Sequence, residues 1–94
     1  MKIENPNISA VIITNDDLNC IKAVESVYSS VNEIIIVNTV KTRKVNEAVR
    51  EFSKVRMFYF KWCDHYSKAR NYGIRKAKGD WILTIDSDEV LQEK

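Results

Sequence analysis

The chain has 94 residues, 45% of them apolar and 30% charged, a composition that fits one small soluble globular domain with a modest core. Fifteen basic residues against 13 acidic ones leave a net charge of +2, so no polyelectrolyte character demands nucleic acid. There is no apolar run near the ~20 residues of a membrane span, no signal-peptide apolar region, and no cysteine framework in Cys20 and Cys63, so a reduced, cytoplasmic setting is the simplest reading.

Ile8 to Ile13 is continuous and β-branched, as expected of a buried strand. Asn15, Asp16 and Asp17 follow as a polar turn suited to cap a helix. Leu18, Ile21, Val24, Tyr28 and Val31 recur at helical spacing, which predicts an amphipathic helix over 18–30. Glu33 to Asn38 is a second strand. A polar turn over 39–44 leads to a helix whose predicted inward face is Val45, Ala48, Val49 and Phe52. Val55 to Phe60 is a less purely apolar strand, placed at the sheet edge. Tyr66 to Ala77 reads as a basic helix, which Gly79 is positioned to end in a left-handed cap. From Gly79 an apolar run, Trp81 to Ile85, reads as a buried fourth strand entering the carboxylate cluster Asp86, Ser87, Asp88 and Glu89.

This alternation predicts a three-layer α/β/α fold over residues 1–94, with a four-stranded parallel sheet in spatial order 3-2-1-4. Strands one and four are expected side by side, because both end in candidate ligand residues that must share one crevice at the carboxyl edge. Asp86 and Asp88 are two apart, so in extended backbone their oxygens converge, a donor set for Mg²⁺ or Mn²⁺ carrying a phosphate. Each residue also has a blander role open to it. The acidic cluster could be a solvated turn, Arg70 one of several solvated cations on its helix, and Asp16 and Asp17 helix caps. Cys20, Cys63 and His65 read as structural, and Trp62 and Trp81 as core or rim packing.

Four motifs taken together carry a resemblance. Strand one followed by Thr14-Asn15-Asp16-Asp17, then Glu33-Ile-Ile-Ile-Val-Asn38-Thr39, then Ala69-Arg70-Asn71, and finally Gly79-Asp80-Trp81 running to Asp86-Ser87-Asp88, resemble family-2 glycosyltransferases of the GT-A fold. The likeness covers essentially the whole chain and is nearest to bacterial members that build envelope or protein-linked glycans. It implies a Rossmann-like, donor-binding half of that fold. Asp86 and Asp88 match its D-x-D, which holds a divalent metal (Mn²⁺ or Mg²⁺) and the diphosphate of a UDP- or GDP-sugar. The cation would stabilise the charge gathering on the leaving diphosphate. Arg70 would lie near the nucleotide, where a guanidinium fork suits phosphate oxygens. Asn15, Asp16 or Asp17, Asn38 and Ser87 complete the implied nucleotide-sugar contacts.

Two departures fall at the nucleoside end. Asn38 stands where the family usually has an aspartate, and Val40-Lys41-Thr42-Arg43 replaces a Gly-Ser pair followed by Thr-Asp. The acceptor half and a general base are expected to be missing, which would make the isolated chain inactive. The fourth strand would then offer an exposed edge for self-association or for a missing segment. A sugar-nucleotide glycosyltransferase domain is the leading reading. A non-catalytic nucleotide-binding or interaction module of the same descent is the alternative, and a response-regulator-like switch ranks last, since Phe60-Lys61 does not supply its acid and lysine pattern.

Overall fold

The computed structural model describes residues 7–40, 44–62 and 66–86. Its elements are β1 (Ile8–Thr14), α1 (Cys20–Val27) with a 3₁₀ turn over Tyr28–Ser30, β2 (Glu33–Asn38), α2 (Lys44–Ala48), β3 (Val55–Tyr59), α3 (Tyr66–Lys76) and β4 (Trp81–Asp86). All strand pairs are parallel and the order is β3-β2-β1-β4, as the alternation predicts.

The sheet separates its side chains by the two-residue period of a strand. Ala10, Ile12, Ile34, Ile36 and Ile85 face one layer, where they pack with Cys20, Ala23, Val24 and Val27 of α1 and with Val45 and Val49. Val11, Ile13, Ile35 and Val37 face the opposite layer with Ala69 of α3. Both central strands are therefore apolar on both faces, which is why β1 and β2 read as unbroken hydrophobic runs.

Helix α3 comes unusually close to the sheet. A Cβ on Gly73 would lie 2.6 Å from Val11 Cγ1 and 2.9 Å from Val37 Cγ2. The missing side chain lets the helix backbone rest on the centre of β1 and β2, and the helix carries Tyr66 and Arg70 towards the strands' carboxyl ends.

Several expectations are corrected. The helix predicted over 18–30 is shorter. Leu18 lies in the preceding turn and is 51% exposed. The predicted Val24 is buried and Ile21 and Tyr28 are packed against the core, but the fully buried stripe of the helix also takes in Cys20, Ala23 and Val27. Past Val27 the backbone tightens to 3₁₀, and Lys54 Nζ donates to the carbonyls of Tyr28 (2.6 Å) and Val31 (3.0 Å), satisfying the helix end from outside. The second helix keeps Val45 as its buried residue, while Ala48 is exposed. Strand β4 is an outer strand, as the order 3-2-1-4 requires, but Trp81 is 65% exposed rather than packed in the core or its rim.

Gly79 is not in the left-handed region. Its small size serves a different need, since a Cβ there would sit 2.5 Å from Ser9 Oγ and 2.8 Å from Ser9 N. Gly79 N–H donates to Ser9 Oγ (2.8 Å), and Ser9 Oγ donates to Glu33 Oε2 (2.6 Å). Glu33 also accepts from the Lys78 N–H and from Arg56 (3.2 Å). Burial alone would raise the Glu33 pKa, but these donors outweigh it and hold the carboxyl below the ordinary glutamate value. This cluster fastens the amino edge of the sheet.

Candidate functional site

Strand register sets the site. Thr14 pairs with Asn38, Asn38 with Tyr59, and Ile13 with Asp86, so β1, β2, β3 and β4 leave the sheet nearly level with one another. At that edge lies a cleft of about 560 Å³, bounded by Ile13, Thr14 and Asn15, by Thr39 and Val40, and by Trp62 and Tyr66.

Behind the cleft residues Asn15, Thr39 and Val40 lies a hydrogen-bonded brace. Asp16 is the single non-glycine residue with positive φ among the described residues, at 67°, and its side chain is buried. A left-handed L-residue costs roughly 1–2 kcal/mol, least for Asn and Asp, and persists where surrounding contacts fix it. The contacts here are two donors on one oxygen. Asn38 Nδ2 donates to Asp16 Oδ1 (3.0 Å), and the Val45 N–H at the start of α2 donates to the same atom (3.1 Å). Asn38 Oδ1 in turn accepts from the Val40 N–H (3.1 Å). The brace ties the β1–α1 turn, the end of β2 and the first turn of α2 together.

The neighbouring hydroxyls are also engaged. Thr14 Oγ1 accepts from the Asp17 N–H (3.0 Å), and Thr39 donates to the Thr14 carbonyl through both its N–H (2.9 Å) and its hydroxyl (3.2 Å). Asp17 Oδ1 accepts from the Asn19 N–H (2.9 Å), a local turn bond leading into α1. Behind the turn, burial pushes the Cys20 thiol up to about 11, against a smaller opposite effect of its hydrogen bond with Thr14 and with Asp17 and Asp16 adding to the rise. That thiol is inert packing.

The geometry thus brings Asp16 and Asn38 into direct contact, leaves Asn15 exposed at the cleft, and turns Asp17 towards the helix start. Arg70 lies over the Tyr66 ring, its Cζ 5.8 Å from the centroid, so the cleft wall links the guanidinium to the pocket. Asp86 closes β4 beside Ile13, while Ser87 and Asp88 lie outside the described residues, as do Cys63 and His65. Among the described residues no group of three His, Cys, Asp or Glu could hold a metal.

The profile of the family described as "Glycosyl transferase family 2" matches residues 11–94. The chain belongs to that family. Its curated relatives include a TPR repeat-containing protein of Synechococcus elongatus, 33% identical over 85 residues, covering 89% of this chain and 21% of the relative. They also include the SPbeta prophage-derived glycosyltransferase SunS of Bacillus subtilis, 30% identical over 95 residues, covering 99% of this chain and 22% of SunS. The chain therefore spans about a fifth of the length of these relatives. Among solved structures, a mannosyltransferase of Pyrobaculum calidifontis in complex with GDP-Man and Mn²⁺ superposes with a TM-score of 0.75 at 16% identity, covering 93% of this chain and 29% of that one. The fold is the Rossmann-like portion of a GT-A glycosyltransferase.

Family-2 membership was legible in the motifs, but four features of the pocket were not singled out as its walls: Thr39, Val40, Trp62 and Tyr66. Thr39 and Val40 carry a usable signal, since they directly follow the apolar end of β2. Trp62 and Tyr66 come from a segment without periodicity, and only the tertiary fold brings them to Ile13. Among the described residues no helix is long and apolar enough to cross a membrane.

Proposed function

We propose that this chain is the donor-binding portion of a sugar-nucleotide glycosyltransferase, with the nucleotide diphosphate held at the carboxyl edge of the sheet. The observation that carries the reading is the level ending of β1, β2 and β4 beside the cleft, with Asp86 paired to Ile13. Ligands of open α/β sheets bind outside such strand ends. In the mannosyltransferase of the same fold, the complex contains GDP-Man and Mn²⁺.

The donor set fits a hard divalent cation: Asp86 ends its strand at the ligand edge, and Asp88, two residues on in the sequence, offers a second carboxylate. A Mn²⁺ or Mg²⁺ ion bound there would stabilise negative charge on the departing diphosphate. Arg70 supplies a cation beside Tyr66, suited to phosphate oxygens. Asn15, exposed at the cleft, and Ser87 complete the polar contacts to the donor. Asp16 and Asn38 shape the wall between them. Residues 1–94 act as one GT-A-like unit, which spans about a fifth of the length of its curated relatives. Transfer is the work of more protein than this unit, and the outer strand β4, with Trp81 and Ile82 exposed, is an edge along which a further segment would add.

The test is an NMR titration of the chain with UDP and GDP, with and without Mg²⁺. Metal-dependent shifts at Thr14, Asn15 and Arg70 that vanish in the Asp86→Ala, Asp88→Ala double variant support the reading. No response at millimolar ligand removes it. Released nucleotide from a panel of UDP- and GDP-sugars tests the second part, which metal-dependent turnover by the isolated chain would overturn.

A further inference from the structure

Apart from Asn15, which is exposed, the side-chain hydrogen-bonding capacity around the cleft is spent largely inside the protein. Asn38 is 3% exposed, its amide nitrogen donating to Asp16 and its oxygen accepting from the Val40 N–H. Asp16 Oδ1 already receives two donors. The hydroxyls of Thr14 and Thr39 serve the Asp17 backbone and the Thr14 carbonyl. What the cleft turns outward is mostly side-chain surface: Val40 is 37% exposed, Trp62 44% and Tyr66 39%, with Ile13 below them.

From this we propose that the chain takes the nucleobase of its donor by stacking on the Trp62 and Tyr66 side of the cleft, and does not read the base through Asn38. The Asp16–Asn38 pair is a positioning device that fixes the β2–α2 turn, and donor choice at the base is loose. The inference rests on the proposed nucleotide site and adds the residues that hold its base.

The physical reason is that specificity needs edge contacts. A site built to hydrogen-bond a base edge rejects bases that leave its buried groups unpaired. A stacking surface does not, because every base has a π-face. Asn38 keeps one amide hydrogen and one oxygen lone pair, but at 3% exposure it meets a base edge only by leaving its places against Asp16 and the Val40 N–H. Stacking breaks neither.

The experiment measures dissociation constants of UDP, CDP, GDP and ADP, with inorganic pyrophosphate as the base-free probe, all at one Mg²⁺ concentration. The wild-type chain should bind the four nucleotides within about tenfold of one another. Trp62→Ala should weaken all four by at least about fivefold, the effect of losing one base–aromatic stack, and leave pyrophosphate unchanged. Trp62→Phe should restore most of the loss. Both variants change an exposed ring, and their melting curves check that the fold is retained. A preference above about thirtyfold for one base in the wild-type chain, or nucleotide affinities indifferent to Trp62→Ala, overturns this inference while leaving the metal-diphosphate site standing. Failure of all five ligands to bind overturns the proposed function and this inference with it.

Discussion

Adding a single methyl group at Gly73 should destabilise the protein, although the same change stabilises an ordinary helix. A Cβ at this position would lie 2.6 Å from Val11 Cγ1 and 2.9 Å from Val37 Cγ2. Carbon atoms in contact sit about 3.5–4.0 Å apart, so the closer pair falls short by roughly 1 Å. Val11 and Val37 cannot turn aside easily: both are buried on central strands and both are β-branched, with stiff χ1. The helix must therefore lift, opening gaps along Ala69 and the ring of Tyr72 that packs beneath it. Overpacking of this kind costs about 1–3 kcal/mol, against a helix-propensity gain of about 0.5–1 kcal/mol for Gly→Ala. The net loss should be about 1–2 kcal/mol, or roughly 5–15 °C in Tm for a domain of this size. Urea unfolding of Gly73→Ala beside the parent measures it directly. An unchanged or raised midpoint would refute the close seating of α3, and with it the placement of Tyr66 and Arg70 at the cleft.

Asp16→Ala should cost about 2–4 kcal/mol, since it strands two buried donors and puts an alanine at φ 67°; Asp16→Asn, which keeps an acceptor oxygen and tolerates that backbone, should cost distinctly less in thermal unfolding. Glu33 has a folded pKa below its unfolded one, so its contribution is fully present above the ordinary glutamate value and is lost as pH falls through the folded value. Melting curves between about pH 6 and pH 3 should therefore show part of the acid destabilisation removed in Glu33→Gln, which begins less stable at the upper end. The Cys20 thiol, buried and pushed up to about 11, should stay unmodified by iodoacetamide at neutral pH in the native protein and react once urea unfolds it, as peptide mass mapping would show.

The sheet was readable because its two central strands are apolar on both faces, and a run such as Ile34 to Val37 has few other ways to be buried. Their order followed from where the polar ligand candidates lie. Helix limits were less readable. Leu18 fits the apolar period of α1, yet the chain at Asp16 turns through a left-handed residue and places Leu18 outside the helix. The apolar strand β4 misled in another way, because Trp81 and Ile82 suggest burial that an outer strand does not provide. At the site, the residue types of Asp16 and Asn38 announced polar work. Only three dimensions show that the two side chains spend it on each other and on the Val40 and Val45 amides.

The proposed divalent metal at the carboxyl edge of the sheet, carrying a nucleotide diphosphate, can be located directly. Paramagnetic Mn²⁺ reports its own position by broadening nearby amide resonances. Substoichiometric Mn²⁺ added with UDP should broaden the amides at the carboxyl ends of β1, β2 and β4, including Thr14, Asn15 and Thr39. Ser9, Asn32 and Gly79 at the amino edge should stay sharp, and Asp86→Ala with Asp88→Ala should abolish the pattern. Broadening centred on the amino edge around Glu33, or broadening unaltered by the double substitution, would contradict a metal held at the carboxyl edge by Asp86 and Asp88.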